Sequence, residues 1–255
     1  MPPNARPAGP PLPPVVTAPL PPNLPGAPGV PAAPDAPGMP VFDLGNGHYR
    51  IGSITLDKNA RSVSFPASIN MTEGVIEYLL VNKKGKVHES LFSTAIVPTN
   101  LHVAMLLLGA QGDPRNKAEV PEKDRVNFAG GGPVTAQQLR DAPALAGDAV
   151  SISVAWKSGD KEMNSKVEDL VLDARVKRSA ARGSWTYSGS VFVGGIFTAE
   201  MEGSIIAMIT DVTALINNPR PGHDDDTIWF ADPTKIPPKD TPLEITIRLE
   251  PPKEK

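Results

Sequence analysis

The sequence predicts an α+β domain with a mostly antiparallel sheet or partly closed β-barrel, one buried helix and a long surface excursion. Three observations favour this class. Short apolar stretches alternate with turn-forming residues along 41–250, and one stretch near residue 105 is apolar on every helical face. A polar stretch rich in Gly and Pro occupies 111–147. Many short strands with few helices are typical of antiparallel sheets and barrels.

Residues 1–40 differ from the rest of the chain and are predicted to be a disordered, proline-rich tether. They hold 16 of the 30 prolines and only two charged residues, Arg6 and Asp35. Such a composition cannot bury enough apolar surface to offset the loss of chain entropy. A recognition peptide for a proline-binding module is the alternative. We therefore expect one domain over 41–250 and a flexible tail over 251–255.

Two hairpins are predicted in the first part of the domain. Apolar strands over 49–56 and 61–65 flank a polar turn, and strands over 74–81 and 86–92 flank a second one. In the second turn Gly85 can adopt the left-handed conformation that closes a three-residue loop with a bulge.

A helix is predicted from Leu101 to about Ala110, with Thr99 or Asn100 as its N-cap and Gly109 near its end. The remaining strands, two of which form a third hairpin around Gly159, are predicted over 149–156, 161–167, 184–187, 190–193, 204–210, 227–230 and 243–249.

Two glutamates are predicted to be neighbours on the second hairpin. Side chains two residues apart share a face of a strand, so Glu77 and Glu89 become diagonal neighbours on an otherwise apolar face. Such a pair is costly unless a proton, a cation or an arginine intervenes, which makes it a candidate for acid–base chemistry or metal binding. The alternative is that each glutamate meets a basic side chain or lies near a solvated edge.

His102 lies in the first turn of the apolar helix, so we expect it to be buried and neutral. A neutral buried histidine suits metal binding, but a hydrogen bond to the backbone is the alternative. Asp224 and Asp226 lie in the acidic loop that follows Pro219, where both could reach one hard cation. A solvated acidic turn, or an aspartate that caps backbone amides, is the alternative there.

Composition excludes several classes of function. The formal net charge is −3 at pH 7, and the sequence has no basic stripe interleaved with aromatic residues, so we expect no nucleic-acid partner. The longest apolar run, 103–108, is far too short to span a bilayer. Cysteine is absent, which excludes disulfides, iron–sulfur ligation and thiol catalysis.

The first residues lack the basic and apolar segments of a signal peptide. A proline-rich stalk before one domain nevertheless resembles a mature exported protein whose leader has been removed. We expect a periplasmic or extracellular location, and a cytoplasmic protein with a disordered arm is the alternative.

Five motifs occur in the order found in the YdjY-like domain family, and the chain resembles that family over about 50–250. The motifs are Glu77-Tyr-Leu-Leu-Val81, Lys86-Val-His-Glu-Ser-Leu91, Leu101-His-Val-Ala-Met-Leu-Leu-Leu-Gly109, Glu202-Gly-Ser-Ile-Ile-Ala-Met-Ile-Thr-Asp211 and Ala214-Leu-Ile-Asn-Asn-Pro219. Members from planctomycetes and related bacteria are typically predicted to be exported. The resemblance implies no particular reaction, and the ferredoxin-like label of some members cannot transfer to a chain without cysteine.

Two hypotheses follow. The first is an exported binding or structural module of the cell envelope, held on the tether, with no assigned ligand or partner. The second is a metal-dependent enzyme or ion-binding protein that holds a divalent cation with Glu77, Glu89 and His102, together with the loop carrying Asp224 and Asp226. The second predicts that these side chains converge, whereas the first predicts that each is satisfied separately.

Overall fold

The computed structural model describes the backbone of residues 15 and 16, and residues 35–114, 145–193 and 195–251. The strands are β1 (Val15–Val16), β2 (Val41–Gly45), β3 (His48–Ile51), β4 (Ile54–Asp57), β5 (Ser62–Ile69), β6 (Tyr78–Asn82), β7 (Ser90–Thr94), β8 (Asp148–Ser158), β9 (Lys161–Lys166), β10 (Val171–Asp173), β11 (Arg178–Ser179), β12 (Trp185–Tyr187), β13 (Phe192–Val193), β14 (Ile196–Phe197), β15 (Ser204–Ala207), β16 (Ile216–Asn217), β17 (Trp229–Ala231) and β18 (Pro242–Leu249). The helices of these described residues are α1 (Pro98–Leu107) and α2 (Thr198–Glu202). Short 3₁₀ turns cover Val87–Glu89 and Val167–Leu170.

Eight of the strands close into a barrel. Its circuit runs β5, β18, β8, β12, β16, β15, β6, β7 and back to β5. All neighbours in this circuit are antiparallel except β6 with β7 and β15 with β16, which are parallel. The barrel is therefore closed, and it contains both parallel and antiparallel strand pairs. This architecture agrees broadly with the predicted α+β class, and it is a barrel rather than an open antiparallel sheet.

Alternating burial explains why the long strands form as they do. In β18, Leu243, Ile245, Ile247 and Leu249 are buried and alternate with exposed or half-buried residues. This period of two places one face of the strand in the barrel interior. The adjoining β8 repeats the pattern, so the two strands contribute to one apolar core.

The strand predicted over 49–56 is in fact two strands. The chain turns at Gly52, which has φ 55°, so that β3 and β4 pair with each other. The carboxylate of Asp35 lies against this turn and accepts a hydrogen bond from the Ser53 amide at 3.1 Å. A side chain at Gly52 would collide with that carboxylate, so the turn requires glycine.

The prediction of a hairpin over 74–92 is wrong. Strands β6 and β7 run parallel, with Tyr78 opposite Ser90. Gly85 does not adopt the positive φ of the expected loop, and its backbone packs against that of Gly203. The 3₁₀ turn after it then carries the chain back to the start of β6. A turn does form locally, since the Gly85 amide bonds to the Asn82 carbonyl oxygen at 2.8 Å, but it does not reverse the strand.

Helix α1 begins earlier than predicted, at Pro98, and it has no side-chain N-cap. Thr99 instead donates its amide and its hydroxyl to the Glu200 carboxylate at 3.1 and 3.0 Å. Asn100 bonds to the chain at Ala36 and Met39. The expectation of one buried helix is corrected, because α2 also forms and α1 is buried on one side only.

The hairpins β4–β5 and β8–β9 form as predicted. Other strands are shorter than predicted. The strand predicted over 204–210 is β15 (Ser204–Ala207), and the one predicted over 190–193 is β13 (Phe192–Val193). Most of the predicted excursion over 111–147 and most of the predicted tether lie outside the described residues. Among the described residues, no helix has the length and apolar character needed to cross a membrane.

Candidate ligand-binding site

A basic pocket lies beside the barrel, where a three-stranded sheet of β11, β10 and β17 meets the segment after β16. Its volume is about 790 Å³, which is in the range of small-molecule sites. It is lined by Asp173, Arg175, Val176, Lys177, Arg178, Ser179, Ala181, Arg220, Pro221, Trp229 and Lys235. Five of these side chains are cationic and one is a carboxylate, so the lining favours a negatively charged occupant.

Arg220 forms the buried side of the pocket. It is 8% exposed, and its Nη2 atom donates to Glu168 Oε1 at 2.6 Å and to the Gly183 carbonyl oxygen at 2.9 Å. The guanidinium carbon lies 4.7 Å from the centre of the Trp185 ring. Burial lowers the pKa of Arg220, although the Glu168 carboxylate opposes that shift. Because arginine is ordinarily a very strong base, the side chain stays charged, and its hydrogen bonds fix its orientation.

Glu168 is the buried counter-ion of Arg220. Its Oε1 atom also accepts a hydrogen bond from Trp185 Nε1 at 3.0 Å. Its Oε2 atom is buried and has no hydrogen-bond partner in the described part of the chain. One carboxylate oxygen thus serves both donors, and the pair fixes the wall of the pocket.

Two further cations of the pocket are held by carboxylates. Arg175 makes a two-point contact with Asp173, at 3.0 and 2.7 Å, and this hydrogen bonding is the main cause that raises its pKa. Lys235 Nζ lies 3.0 Å from Asp232 Oδ2 and donates to Ser179 Oγ at 2.6 Å. These contacts hold both basic groups at the pocket and neutralise much of their charge.

Lys177 and Arg178 differ from the other cations, because neither has a hydrogen bond or ion pair to any described side chain. Both are exposed; Lys177 is the last residue of the turn between β10 and β11, and Arg178 is the first residue of β11. Lys177 has φ 52°, a left-handed conformation that is costly for a residue with a Cβ atom. The uncompensated positive charge of the pocket is therefore concentrated at this turn.

Sequence reasoning missed this pocket. Arg175, Lys177 and Arg178 form a visible basic run, and that run was the signal that could have found it. Arg220 and Lys235 come from distant parts of the chain, so only the fold brings them to the same place.

The fold brings some of the carboxylates predicted to bind metal near one another. The Glu77 amide donates to the Glu89 carbonyl oxygen at 3.0 Å, so the two residues are adjacent although the predicted hairpin is not formed. Burial, and then the charges of Glu89 and Asp226, raise the pKa of Glu77. The charge of Asp224 instead acts on Arg175, as the smallest of the causes that raise the pKa of that residue.

His102 does not join the carboxylates. Its Nδ1 atom lies 2.7 Å from the Tyr187 hydroxyl oxygen, and its ring packs 4.9 Å from that of Phe197. Burial lowers the pKa of His102 to about 4, and burial also raises that of Tyr187. A protonated phenol therefore donates to a neutral imidazole. The partner of His102 is thus a side chain, and not the backbone that the alternative to metal binding named.

Within the described ranges, no three His, Asp or Glu side chains are placed so that they could hold one metal ion. In the acidic loop, one aspartate caps a backbone amide, as the alternative to metal binding predicted. Asp225 accepts hydrogen bonds from the Thr227 amide and hydroxyl at 3.0 and 2.6 Å. Metal binding by Glu77, Glu89, His102, Asp224 and Asp226 thus stays a prediction without a converged site.

A comparison with models of protein families shows which family the chain belongs to. The model of the YdjY domain matches residues 54–248, which run from the first residue of β4 almost to the end of β18. The chain belongs to the YdjY domain family. The match spans the whole barrel, so the YdjY domain is the closed fold described above and includes the basic pocket. No curated protein and no solved structure matches the chain.

Proposed function

We propose that this YdjY domain is a binding module of the cell envelope and that its basic pocket holds an anionic ligand. The observation that carries the proposal is the pair Lys177 and Arg178, which face a pocket of small-molecule size without any carboxylate of their own. The ion-paired side chains of Arg220, Arg175 and Lys235 form the wall of the pocket. Lys177 and Arg178 attract the ligand.

The charges of the pocket indicate what kind of anion fits. Arg220, Arg175 and Lys235 each have a carboxylate partner, and Asp224 and Asp225 also act on Arg175. Lys177 and Arg178 are the two cations of the lining that have no carboxylate partner of their own among the described residues, so they supply the attraction for a ligand. A dianion with oxygen acceptors, such as a phosphate or a dicarboxylate, can contact both side chains and suits the geometry of a guanidinium donor.

The envelope location rests on sequence features. The proline-rich segment of residues 1–40 suits a spacer between an anchoring point and a folded domain, and the absence of cysteine is compatible with an oxidising compartment. The family resemblance supports the same location. Fractionation of cells that express the full chain, followed by immunodetection, tests it, and detection only in the cytoplasmic fraction would contradict it.

Calorimetric titration with inorganic pyrophosphate and with succinate tests the pocket. We expect binding of at least one probe that weakens as salt is added, because the attraction is electrostatic. The double variant Lys177→Ala/Arg178→Ala should bind roughly tenfold more weakly for each cation removed.

A matched control is the double variant Lys157→Ala/Lys161→Ala, which removes two exposed cations from the β8–β9 hairpin. This variant changes the net charge equally and should bind as the wild type does. The proposal fails if neither probe binds, or if both double variants lose affinity to the same extent.

The second candidate function is cation binding at the Glu77 carboxylate, and the observation in its favour is the raised pKa of that group beside Glu89 and Asp226. A bound cation would offset the repulsion among these carboxylates. Elemental analysis of the purified protein, paired with Ca²⁺ and Mn²⁺ titrations of Glu89→Gln and His102→Ala, tests it. Stoichiometric metal that Glu89→Gln loses would favour this candidate over the anion-binding module, and His102→Ala tells whether the histidine takes part.

A further inference from the structure

We propose that the anionic ligand of the basic pocket is an organic phosphate monoester, with an apolar or aromatic group on its ester oxygen. This ligand class rests on the proposed function, because it names what is attached to the anion. The group on the ester oxygen would lie against three exposed apolar residues of the pocket lining, Val176, Ala181 and Pro221, which we call the apolar patch.

The volume of the pocket exceeds what a small inorganic anion fills. At about 30 Å³ for each water-sized group, the volume of about 790 Å³ takes roughly 25 such groups. Pyrophosphate supplies fewer than half of that number of non-hydrogen atoms. Ligand sites of this size combine an apolar lining with a few polar groups that fix the orientation of the ligand. An occupant that fills the pocket therefore carries an organic part beside its charged group.

Val176 is the largest side chain of the apolar patch, and it is 50% exposed. It lies between Arg175 and Lys177 in the chain, so its own neighbours are charged and do not cover it with apolar surface. Trp229 also lines the pocket, but it is 1% exposed, and the guanidinium carbon of Arg175 lies over its ring at 5.5 Å from the ring centre. The apolar contact open to a ligand is therefore the patch rather than the indole.

Two guanidinium groups hold the apolar patch around one space. Arg175 Nη2 donates to the Pro221 carbonyl oxygen at 2.6 Å, which ties the turn of Val176 to the segment of Pro221. Arg220 Nε donates to the Ala181 carbonyl oxygen, which ties that same segment to the residues after β11. Single exposed apolar residues are ordinary on protein surfaces, but these three come from separate segments and line one cavity.

The apolar patch adjoins the cations that attract the anion. Val176 and Lys177 are consecutive, so their Cα atoms are about 3.8 Å apart, and Arg178 follows. The ligand therefore needs its apolar group attached close to its charge. A phosphate monoester meets this requirement, because one phosphorus atom carries the ester group and nearly two negative charges on three acceptor oxygens. A dicarboxylate divides its charge between two separate groups, which suits two neighbouring cations less well.

Calorimetric titration with inorganic phosphate, phenyl phosphate and glycerol 1-phosphate tests the ligand class. We expect phenyl phosphate to bind more tightly than inorganic phosphate by roughly tenfold, since its ring is covered on one side by the patch. Glycerol 1-phosphate, whose organic group is polar, should gain less. The binding of phenyl phosphate should also have the more negative heat-capacity change, which marks the burial of apolar surface.

A variant of the apolar patch separates the two halves of the ligand. Val176→Ser should bring the affinity for phenyl phosphate close to that for inorganic phosphate and leave pyrophosphate binding unchanged. Leu44→Ser is the matched control, because Leu44 is an exposed apolar residue of β2 outside the pocket, and it should bind phenyl phosphate as the wild type does. Lys177→Ala/Arg178→Ala should weaken the binding of every phosphate probe.

The outcomes distinguish the ligand class from the anion-binding function. If pyrophosphate or succinate binds but phenyl phosphate binds no more tightly than inorganic phosphate, the ligand class is wrong and the function stands. Benzylsuccinate that binds more tightly than phenyl phosphate would overturn the assignment to a phosphate. Equal losses of phenyl phosphate affinity in Val176→Ser and Leu44→Ser would overturn the role of the patch. If none of the probes binds, the function and the ligand class are both wrong.

Discussion

Arg220 and Glu168 form an ion pair that is almost entirely enclosed, with Nη2 and Oε1 2.6 Å apart and residue exposures of 8% and 3%. The pair joins the segment after β16 to the 3₁₀ turn before β10, and it is closed on one side by the Trp185 ring. A buried pair of this kind contributes little compared with an apolar replacement of both partners, but removal of one partner strands the other charge.

We therefore expect Arg220→Ala to lower the free energy of unfolding by about 3–5 kcal/mol. Glu168→Gln should cost less, because its amide oxygen can still accept from Trp185 and Arg220. Urea denaturation followed by tryptophan fluorescence measures both. A loss in Arg220→Ala no larger than that of an exposed arginine such as Arg178→Ala would show that the pair is not desolvated.

Glu77 should make the stability of the domain depend on pH in the acidic range. Its pKa in the fold is raised above the ordinary value of 4.5, so the folded state binds the proton more tightly than the unfolded state. The resulting stabilisation is complete below pH 4.5 and is lost as the pH rises through the folded value. At pH 7, Glu77→Gln should therefore be slightly more stable than the wild type, by at most about 0.5 kcal/mol after solvent screening.

The gain in Glu77→Gln should disappear below pH 4.5 and shrink as salt is added. Chemical denaturation at several pH values measures it. Glu73→Gln is the control, since Glu73 is exposed on the preceding segment. An equal gain in both variants would mean that only net charge matters.

His102 should destabilise the domain as the pH falls. Its pKa is about 4 in the fold and 6.5 ordinarily, so the unfolded state gains a proton before the folded state does. Stability should fall between pH 6.5 and pH 4 by up to about 3 kcal/mol and then level off for this group. His102→Gln, which keeps an acceptor for Tyr187, should abolish that part of the decline. An NMR titration of the imidazole gives an independent check, and a folded pKa near 6.5 would contradict the prediction.

Gly85→Ala should destabilise the parallel pair of β6 and β7. A Cβ atom at Gly85 would lie 2.9 Å from the Glu202 carbonyl oxygen and 3.1 Å from that of Gly203, and backbone cannot move aside cheaply. We expect a cost of about 1–3 kcal/mol. Gly183→Ala is the matched control, because its nearest neighbour is the Arg220 side chain at 4.0 Å. A comparable loss in both would show that close approach to the Glu202 and Gly203 carbonyl oxygens does not set the cost.

The sequence predicted those elements whose burial alternates locally. Strands β18 and β8 were found because every second residue is apolar. The direction of β7 was not predictable, since a turn at Asn82–Gly85 forms in either case and contact with Gly203 decides where the chain goes. The end of α1 shortly before Gly109, which has φ 93°, followed from glycine's conformational freedom, whereas its first turn is held by the distant Glu200.

The candidate sites, like the fold, could be predicted only in part from local sequence patterns. Glu77 and Glu89 were expected to be neighbours from the wrong strand pairing, and they are neighbours because parallel strands also start side by side. The pocket needs Arg220 and Lys235 beside the turn of Lys177, and no local pattern specifies that encounter.

The position of β18 has a consequence for how the chain acquires its structure. This strand occupies the gap between β5 and β8, so the circuit of hydrogen bonds stays broken until the residues up to 249 have left the ribosome. Contacts between residues so far apart in sequence form slowly, and strand edges exposed in the meantime invite aggregation. During elongation, therefore, nearly the whole chain is synthesised before its native barrel can close.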